Sequence, residues 1–523
     1  MTAVNFCTRI VASAQRHPER LAIALPDGAS LRYGELLAAA GAHQQALRGL
    51  GLKAGDRVLL LARPGLALYV LLVALLAGGI VPVLIDRGMS RARVLESMRL
   101  SGARVVIGER GILRFWWLFP VLWRLRRFAL DGRALGVARL PAGEAAPLQC
   151  VPLPPDAHGL ITFTSGSTGA PKGADRHHGS LIAQHEAIRA HWQDRDDDID
   201  MPCFPVLVLH NLCCGISTVL PAVDLATPGH PDAARVLQQI VECRITRIAG
   251  APAFVAALVR HAREHDLQFP GVRSLVVGGA TLPPGLAQRC LRVFPEAECR
   301  VVYGSTEAEP IADVPMTELV LHGRDGRGHL LGCAAPMAEV CIVAPGAPLD
   351  DEAAVARARV APGESGEILV AGPHVLRAYV DNPAATRDSK VVRADGLVWH
   401  RTGDVGHVDA LGRLWLEGRL KDAVRVGDAE RHTLALEKAV DTLPGVERSA
   451  LVAAPDGSPA LVLCGAVPDV AELRRCLAAE GFSGVRCYRA DRLPVDGRHN
   501  SKIDRPALRE QIARGRLIPL GDL

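Results

Sequence analysis

The sequence predicts an α/β protein in two units. A large N-terminal unit of parallel-rich sheets flanked by helices covers 1–417, and a small, mobile α+β unit covers 418–523. Three observations carry this reading. A chain of 523 residues is longer than one hydrophobic core normally serves, so two or more domains follow. Strand-like and helical runs alternate through 20–110 and again through 245–280, the rhythm of parallel strands joined by crossover helices. Beyond Arg419 the remaining residues read as a self-contained set of short strands and helices after a short linker.

Val58–Leu61 and Ala103–Ile107 are β-branched, apolar runs of strand length. Residues 65–83 are nearly uncharged and long enough to cross a bilayer. Gly78, Gly79 and Pro82 interrupt them, however, so they read as a buried helix feeding a strand. Residues 113–128 hold three of the six tryptophans beside four arginines. That composition suits a membrane interface or the mouth of an apolar tunnel, and equally a surface helix packed on its own domain. Ile245–Gly250 reads as a strand, Ala253–Glu264 as a helix, and Ser274–Ala280 as a strand ending in a glycine turn. In a parallel sheet, ligands sit beyond the carboxyl ends of the strands. Gly278, Gly279, Ala280, Tyr303 and Gly304 fall there. In the small unit, Ser449–Val452 and Ala460–Leu463 read as strands and Val470–Ala479 as a helix.

Composition narrows the function. A net charge of +4 is too mild for a nucleic-acid binder. The 13 cysteines are odd in number and contain no C-x-x-C pair, which predicts reduced thiols and a cytoplasmic location. The first residues lack the charged-then-apolar order of a secretory signal.

The most informative stretch is Ile161-Thr162-Phe163-Thr164-Ser165-Gly166-Ser167-Thr168-Gly169-Ala170-Pro171-Lys172-Gly173. An apolar strand-like lead-in runs into small and hydroxyl residues and then a lysine. Small residues let backbone N–H groups wrap an anion, hydroxyls add donors, and Lys172 adds a full charge. A flexible linker is the plain alternative, but linkers rarely carry such a lead-in. The spacing is not that of the G-x-x-x-x-G-K-[ST] loop, because Gly173 follows the lysine and no Ser or Thr is placed to hold magnesium.

This segment resembles the phosphate loop of the adenylate-forming (ANL) superfamily of acyl-CoA synthetases, luciferases and peptide-synthetase adenylation domains. Val302-Tyr303-Gly304-Ser305-Thr306-Glu307 resembles that family's Y-G-x-T-E. His400-Arg401-Thr402-Gly403-Asp404-Val405-Gly406 resembles its R-T-G-D-x-G, and Gly418-Arg419-Leu420-Lys421-Asp422 its G-R-x-K-D hinge. The motifs occur in the family's order.

The resemblance implies ATP and Mg²⁺ as cofactors and an acyl-AMP as the first product. It implies that Thr164, Ser165, Gly166, Ser167, Thr168, Gly169 and Lys172 cradle the phosphates. It implies that Glu307 holds Mg²⁺ and that Thr306 donates to the α-phosphate. Tyr303, Gly304, Gly278, Gly279 and Ala280 would line the adenine, while Asp404 and Arg419 would meet the ribose or a phosphate. Lys421 would be the hinge of a rotating small domain. Lys502, in Asp496-Gly497-Arg498-His499-Asn500-Ser501-Lys502-Ile503, would neutralise charge as the carboxylate meets the α-phosphate.

The wording around Lys502, with Arg176-His177, Ala183-Gln184, Phe204-Pro205 and Glu447-Arg448-Ser449-Ala450-Leu451-Val452, resembles the olefin-biosynthesis β-lactone synthetases and fatty-acid–CoA ligase-like proteins. Phe204, His210 and Gly215 then become acyl-pocket candidates. His210-Asn211 and Glu309 would either bind a substrate hydroxyl or form a satisfied buried network. The loop Val426–Thr433 lacks the proline and second glycine that CoA-using relatives carry.

The expected activity is ATP-dependent activation of a fatty or related acid, plain or 3-hydroxylated. The acyl group then passes to the thiol of CoA or a carrier protein, or closes a β-lactone. A non-catalytic nucleotide-binding protein is the alternative from another class.

Overall fold

A computed structural model describes residues 3–86, 88–164, 170–224, 231–323, 325, 327–495 and 502–523, the side chain of Thr164 apart. The alternation read from the sequence is present. Its first product is a seven-stranded sheet. Ala138–Arg139, Arg126–Ala129, Val105–Gly108, Arg57–Leu61, Val81–Ile85 and His158–Thr164 run parallel, and Lys172–His177 closes the edge antiparallel. The uncharged run forms the helix Leu66–Ala77, buried at every position from Leu68 to Ala77. A helix apolar on all sides is stable in water only with protein on all sides. Here it feeds the strand Val81–Ile85 through Gly79, whose φ of 69° suits glycine.

The second sheet has fourteen strands and changes character midway. Leu21–Ala24, Ser217–Val219, Ile199–Pro202, Arg247–Gly250, Ser274–Gly278 and Glu298–Ser305 pair in parallel. From Glu298–Ser305 onward every pairing is antiparallel, through Ala308–Pro315, His329–Ala334, Leu414–Arg419, Val398–Val408, Gly366–Ala371 and Glu339–Val343. The sequence expectation of parallel-rich sheets therefore holds for the first sheet and for half of the second.

Val446–Ala453, Pro459–Gly465, Arg486–Ala490 and Ile518–Asp522 form a separate four-stranded sheet. Its alternation is plain. Leu461 and Leu463 join one core with Leu436, Val440, Leu473 and Leu477, while Ala460 and Val462 join another with Leu508 and Ile512. Successive side chains of a strand point to opposite faces, so helices must cover both. Thr433–Val440 and Val470–Ala479 cover one and Arg505–Ala513 the other.

Residues 113–128 are not a surface helix. They follow the helical turn Arg110–Leu113 with two 3₁₀ turns at Trp116–Leu118 and Pro120–Leu122, and then enter the strand Arg126–Ala129. Phe119-Pro120 interrupts any continuous helix. All thirteen cysteines are free thiols. Among the described residues no helix is long and apolar enough to cross a membrane.

Candidate active site

Thr306 and Glu307 form the two-residue tip of the hairpin between Glu298–Ser305 and Ala308–Pro315, where the large sheet turns antiparallel. Gly304 is needed just before the tip, since a Cβ there would lie 3.1 Å from the Ala308 carbonyl oxygen. Arg176, in the hairpin strand that begins at Lys172, donates to Thr162 Oγ1 at 2.8 Å and to the Thr306 carbonyl at 2.9 Å. That guanidinium ties the phosphate-loop hairpin to the glutamate hairpin. Thr164 pairs with Lys172 across the first of these. Ser165, Gly166, Ser167, Thr168 and Gly169 lie outside the described residues.

A cluster surrounds the Glu307 carboxylate. Tyr379 donates its hydroxyl to Glu307 Oε1 at 2.7 Å. Lys172 Nζ lies 5.1 Å and Lys390 Nζ 5.9 Å from the centroid of the same Tyr379 ring. Lys390 and His400 are direct partners across the strands Lys390–Val392 and Val398–Val408. His400 Nδ1 donates to the Ser389 carbonyl at 3.2 Å. Burial alone would raise the Glu307 carboxyl, but the Tyr379 hydroxyl and Lys390 oppose it and keep it ionised. Burial lowers Lys390 to about 7, with Glu307 opposing and Lys172 assisting. Burial and Lys390 hold His400 neutral. Tyr379 and Lys390 carry no motif signal. Only the fold brings them beside Glu307.

A second cluster joins two motifs. Tyr303 donates its hydroxyl to Asp404 Oδ2 at 2.6 Å, and Arg419 Nε meets Asp404 Oδ1 at 3.0 Å. Asp404 and Arg419 are cross-strand partners. The Tyr303 hydroxyl is therefore committed to Asp404, and both carboxylate oxygens of Asp404 already have a protein donor. Arg401 of the same motif is held by buried Glu367 through two nitrogens.

Gly278 ends its strand and Gly279 turns the chain with φ 90°, leading into Ala280. Gly278 lines a narrow cavity with Trp192, Phe204, Leu207, Val302 and Glu309. Its volume, ≈ 20 Å³, is room for about one water. Of the three acyl-pocket candidates, only Phe204 lines it. Gly215 instead terminates the helix Pro205–Cys214 in the left-handed conformation, φ 80°, with its carbonyl accepting from Arg20. His210 belongs to a buried network, 3.0 Å from His185 and 3.4 Å from Asp194, which also pairs with Arg247 at 2.6 Å. Asn211 donates to Asp200 at 2.8 Å. His210 and Asn211 thus sit in a buried polar network, in which Asn211 Oδ1 finds no partner among the described residues. A wider apolar groove, ≈ 380 Å³, between Val11, Leu37 and Ala145–Leu148 contains none of the motif residues.

Lys421 is exposed in the 3₁₀ turn Leu420–Asp422 that follows Arg419. Its neighbour Asp422 lies 3.6 Å from Arg505 Nε, and Arg505 holds Glu437 through two nitrogens at 2.7 and 2.9 Å. The loop Val426–Thr433 is the tip and return strand of a small hairpin, Val424–Val426 with Ala429–Arg431. Lys502 is exposed beside the Val495–Ile503 bridge. In 113–128, Trp116 is packed, donating to the Leu135 carbonyl at 2.7 Å under the Arg127 guanidinium. Trp117 and Trp123 are 56% and 58% exposed.

A carboxylate at a hairpin tip, bonded to a tyrosine whose ring two lysines approach, is an arrangement suited to anionic ligands, and the comparisons make the protein an AMP-forming acid ligase. The profile of the AMP-binding enzyme family matches residues 10–380, and the chain belongs to that family. It is 32% identical to the olefin beta-lactone synthetase of Stenotrophomonas maltophilia, over 96% of this chain and 97% of the relative. It is 30% identical to a feruloyl-CoA synthase of Amycolatopsis, over 82% of each chain. Its fold matches the O-succinylbenzoate coenzyme A synthetase of Bacillus subtilis in complex with ATP and magnesium ion. That match has a TM-score of 0.77 and 21% identity, over 97% of this chain and 99% of the other.

Proposed function

We propose that this enzyme activates a fatty or related carboxylic acid as its acyl adenylate through the residues of these two clusters. The acid's carboxylate oxygen attacks the α-phosphorus of ATP, the bond to the β-phosphate oxygen breaks, and pyrophosphate leaves. Both reactants are anions, so the protein must shield charge and fix geometry. The ionised Glu307 held by Tyr379, with Lys172 over the same ring, is the observation that carries this reading. The chemistry of the site fits magnesium: a carboxylate kept charged and hydroxyls at Ser305 and Thr306 are hard oxygen donors. When bound, Mg²⁺ would neutralise charge on the phosphates. Lys172 and the loop 164–169 would hold the phosphates, and Thr306 the α-phosphate. Tyr303, Gly304 and Gly278–Ala280 would border the base, and Asp404 and Arg419 the ribose. Lys502 would approach as the small unit, 418–523, turns about Lys421.

The second step branches. The acyl group passes to the thiol of CoA or a carrier protein, or a 3-hydroxyl attacks the activated carbonyl and expels AMP as a β-lactone closes. The likeness to a β-lactone synthetase and the altered Val426–Thr433 loop favour closure. The exposed Trp117 and Trp123, set among arginines, support contact of a cytoplasmic enzyme with a membrane surface or a long acyl chain. Screening pyrophosphate release over acids of varied length and 3-hydroxylation, with and without CoA, then mass analysis, tests the whole reading. Release of pyrophosphate with no acid in the panel would sink it, as would a CoA thioester formed from every acid for the closure branch.

A further inference from the structure

A lysine is almost never fully buried unless it is paired. Lys390 is 6% exposed, and its Nζ finds no hydrogen-bond acceptor among the described residues. Its placement is firm. The preceding helix Pro383–Ser389 is started by Asn382, whose side chain accepts from Ala385 N at 3.0 Å. The strand Lys390–Val392 then pairs with Val398–Val408. Opposed residues of an antiparallel pair project to the same face, so Lys390 lies alongside His400. Its Nζ reaches the ring of Tyr379, the ring that Lys172 also approaches and whose hydroxyl binds Glu307. Two lysine amines and one carboxylate thus meet around one phenol. An arrangement serving only the fold would supply Lys390 with an acceptor. A phosphate oxygen entering beside Lys172 would supply one.

We propose that Lys390 is a second phosphate-binding cation of the ATP site, taking the β- and γ-phosphate end that departs as pyrophosphate. This rests on the adenylation reading above. Lys172 belongs to the phosphate-loop hairpin and Lys390 to a strand some two hundred residues later. The polyanion would thus be gripped from two elements that meet at Tyr379. AMP, which lacks those phosphates, should not use Lys390.

The test is calorimetric binding of ATP, pyrophosphate and AMP, each with magnesium, to the full chain and to Lys390→Met. The variant keeps the length and apolar stem of the side chain. ATP and pyrophosphate should bind at least about tenfold more weakly, or ~1.4 kcal/mol, and AMP within about twofold of the parent. The melting temperature without nucleotide should hold or rise, because an unpaired buried amine has been removed. Unchanged ATP and pyrophosphate affinity would overturn the proposal, and so would equal losses for all three ligands. If Lys390→Met does not fold, Lys390→Gln is read by the same ratio. If the parent chain itself binds neither ATP nor pyrophosphate, the adenylation reading fails first. Parent binding with an unaffected variant refutes Lys390 alone.

Discussion

The Tyr379 hydroxyl sits 2.7 Å from Glu307 Oε1, joining a residue with no motif to the one acid that the hairpin tip presents. That bond, with Lys390, keeps Glu307 ionised despite burial. Glu307→Gln removes the charge at nearly constant shape. Adenylation should fall by about a hundredfold or more, with folding intact and magnesium dependence altered. Pyrophosphate release at parental rates, with parental magnesium dependence, would remove Glu307 from the metal's shell. Tyr379→Phe should give a smaller loss of the same kind.

Lys502 is exposed, and under the proposed reading it acts only during adenylate formation. Lys502→Ala should abolish pyrophosphate release yet process a supplied acyl adenylate at a near-parental rate. Equal failure with supplied adenylate would show that the lysine serves the second step as well.

The proposed hinge about Lys421 can be frozen. Proline fixes φ near −65° and disfavours a helical residue before it, and Leu420–Asp422 is a 3₁₀ turn. Lys421→Pro should keep adenylate formation and lose transfer to a thiol. Lactone closure needs no incoming thiol and should survive. Loss of adenylation in a well-folded variant would refute rotation about this residue.

The aromatic stretch divides by burial. Trp117→Ser with Trp123→Ser should reduce turnover of long-chain acids, or vesicle binding, more than turnover of short acids, at an unchanged melting temperature. Trp116→Ser should lower the melting temperature, because Trp116 is bonded to Leu135 and stacked under Arg127. Equal losses for every chain length in the double variant would reject the apolar-surface role.

Acid should destabilise the fold through buried histidines. His178 is fully buried, accepts from the Phe6 N–H at 3.1 Å, and is lowered to about 4 by burial and by His177. Its folded pKa lies below the unfolded value of about 6.5, so below that pH the unfolded chain takes a proton that the native state refuses. The stability is whole above about pH 6.5 and declines as the pH falls toward 4, with a limiting slope of ~1.4 kcal/mol per unit for one group. Melting temperature against pH reads this directly. His178→Asn, which retains an acceptor, should flatten the slope, and an identical slope would exclude His178 as a source.

Much of this molecule was written locally. The helix Leu66–Ala77, the strands that precede Gly278 and the small sheet's alternation all follow from period and punctuation, which the sequence displays directly. The motif residues Lys172, Thr306, Glu307, Asp404 and Arg419 were legible because their chemistry and order are local too. The antiparallel half of the large sheet was not, since which strand pairs with which depends on contacts between segments far apart. The same reason separates Gly215 and His210 from the cavity that Phe204 lines: their neighbours are Arg20, His185 and Asp194, which no spacing rule joins to them. The family and the α/β class could be read from the sequence alone. Only the tertiary structure decided that Tyr379 and Lys390 surround Glu307. A buried charge is defined by what surrounds it in space, and residues distant in the chain supply those surroundings.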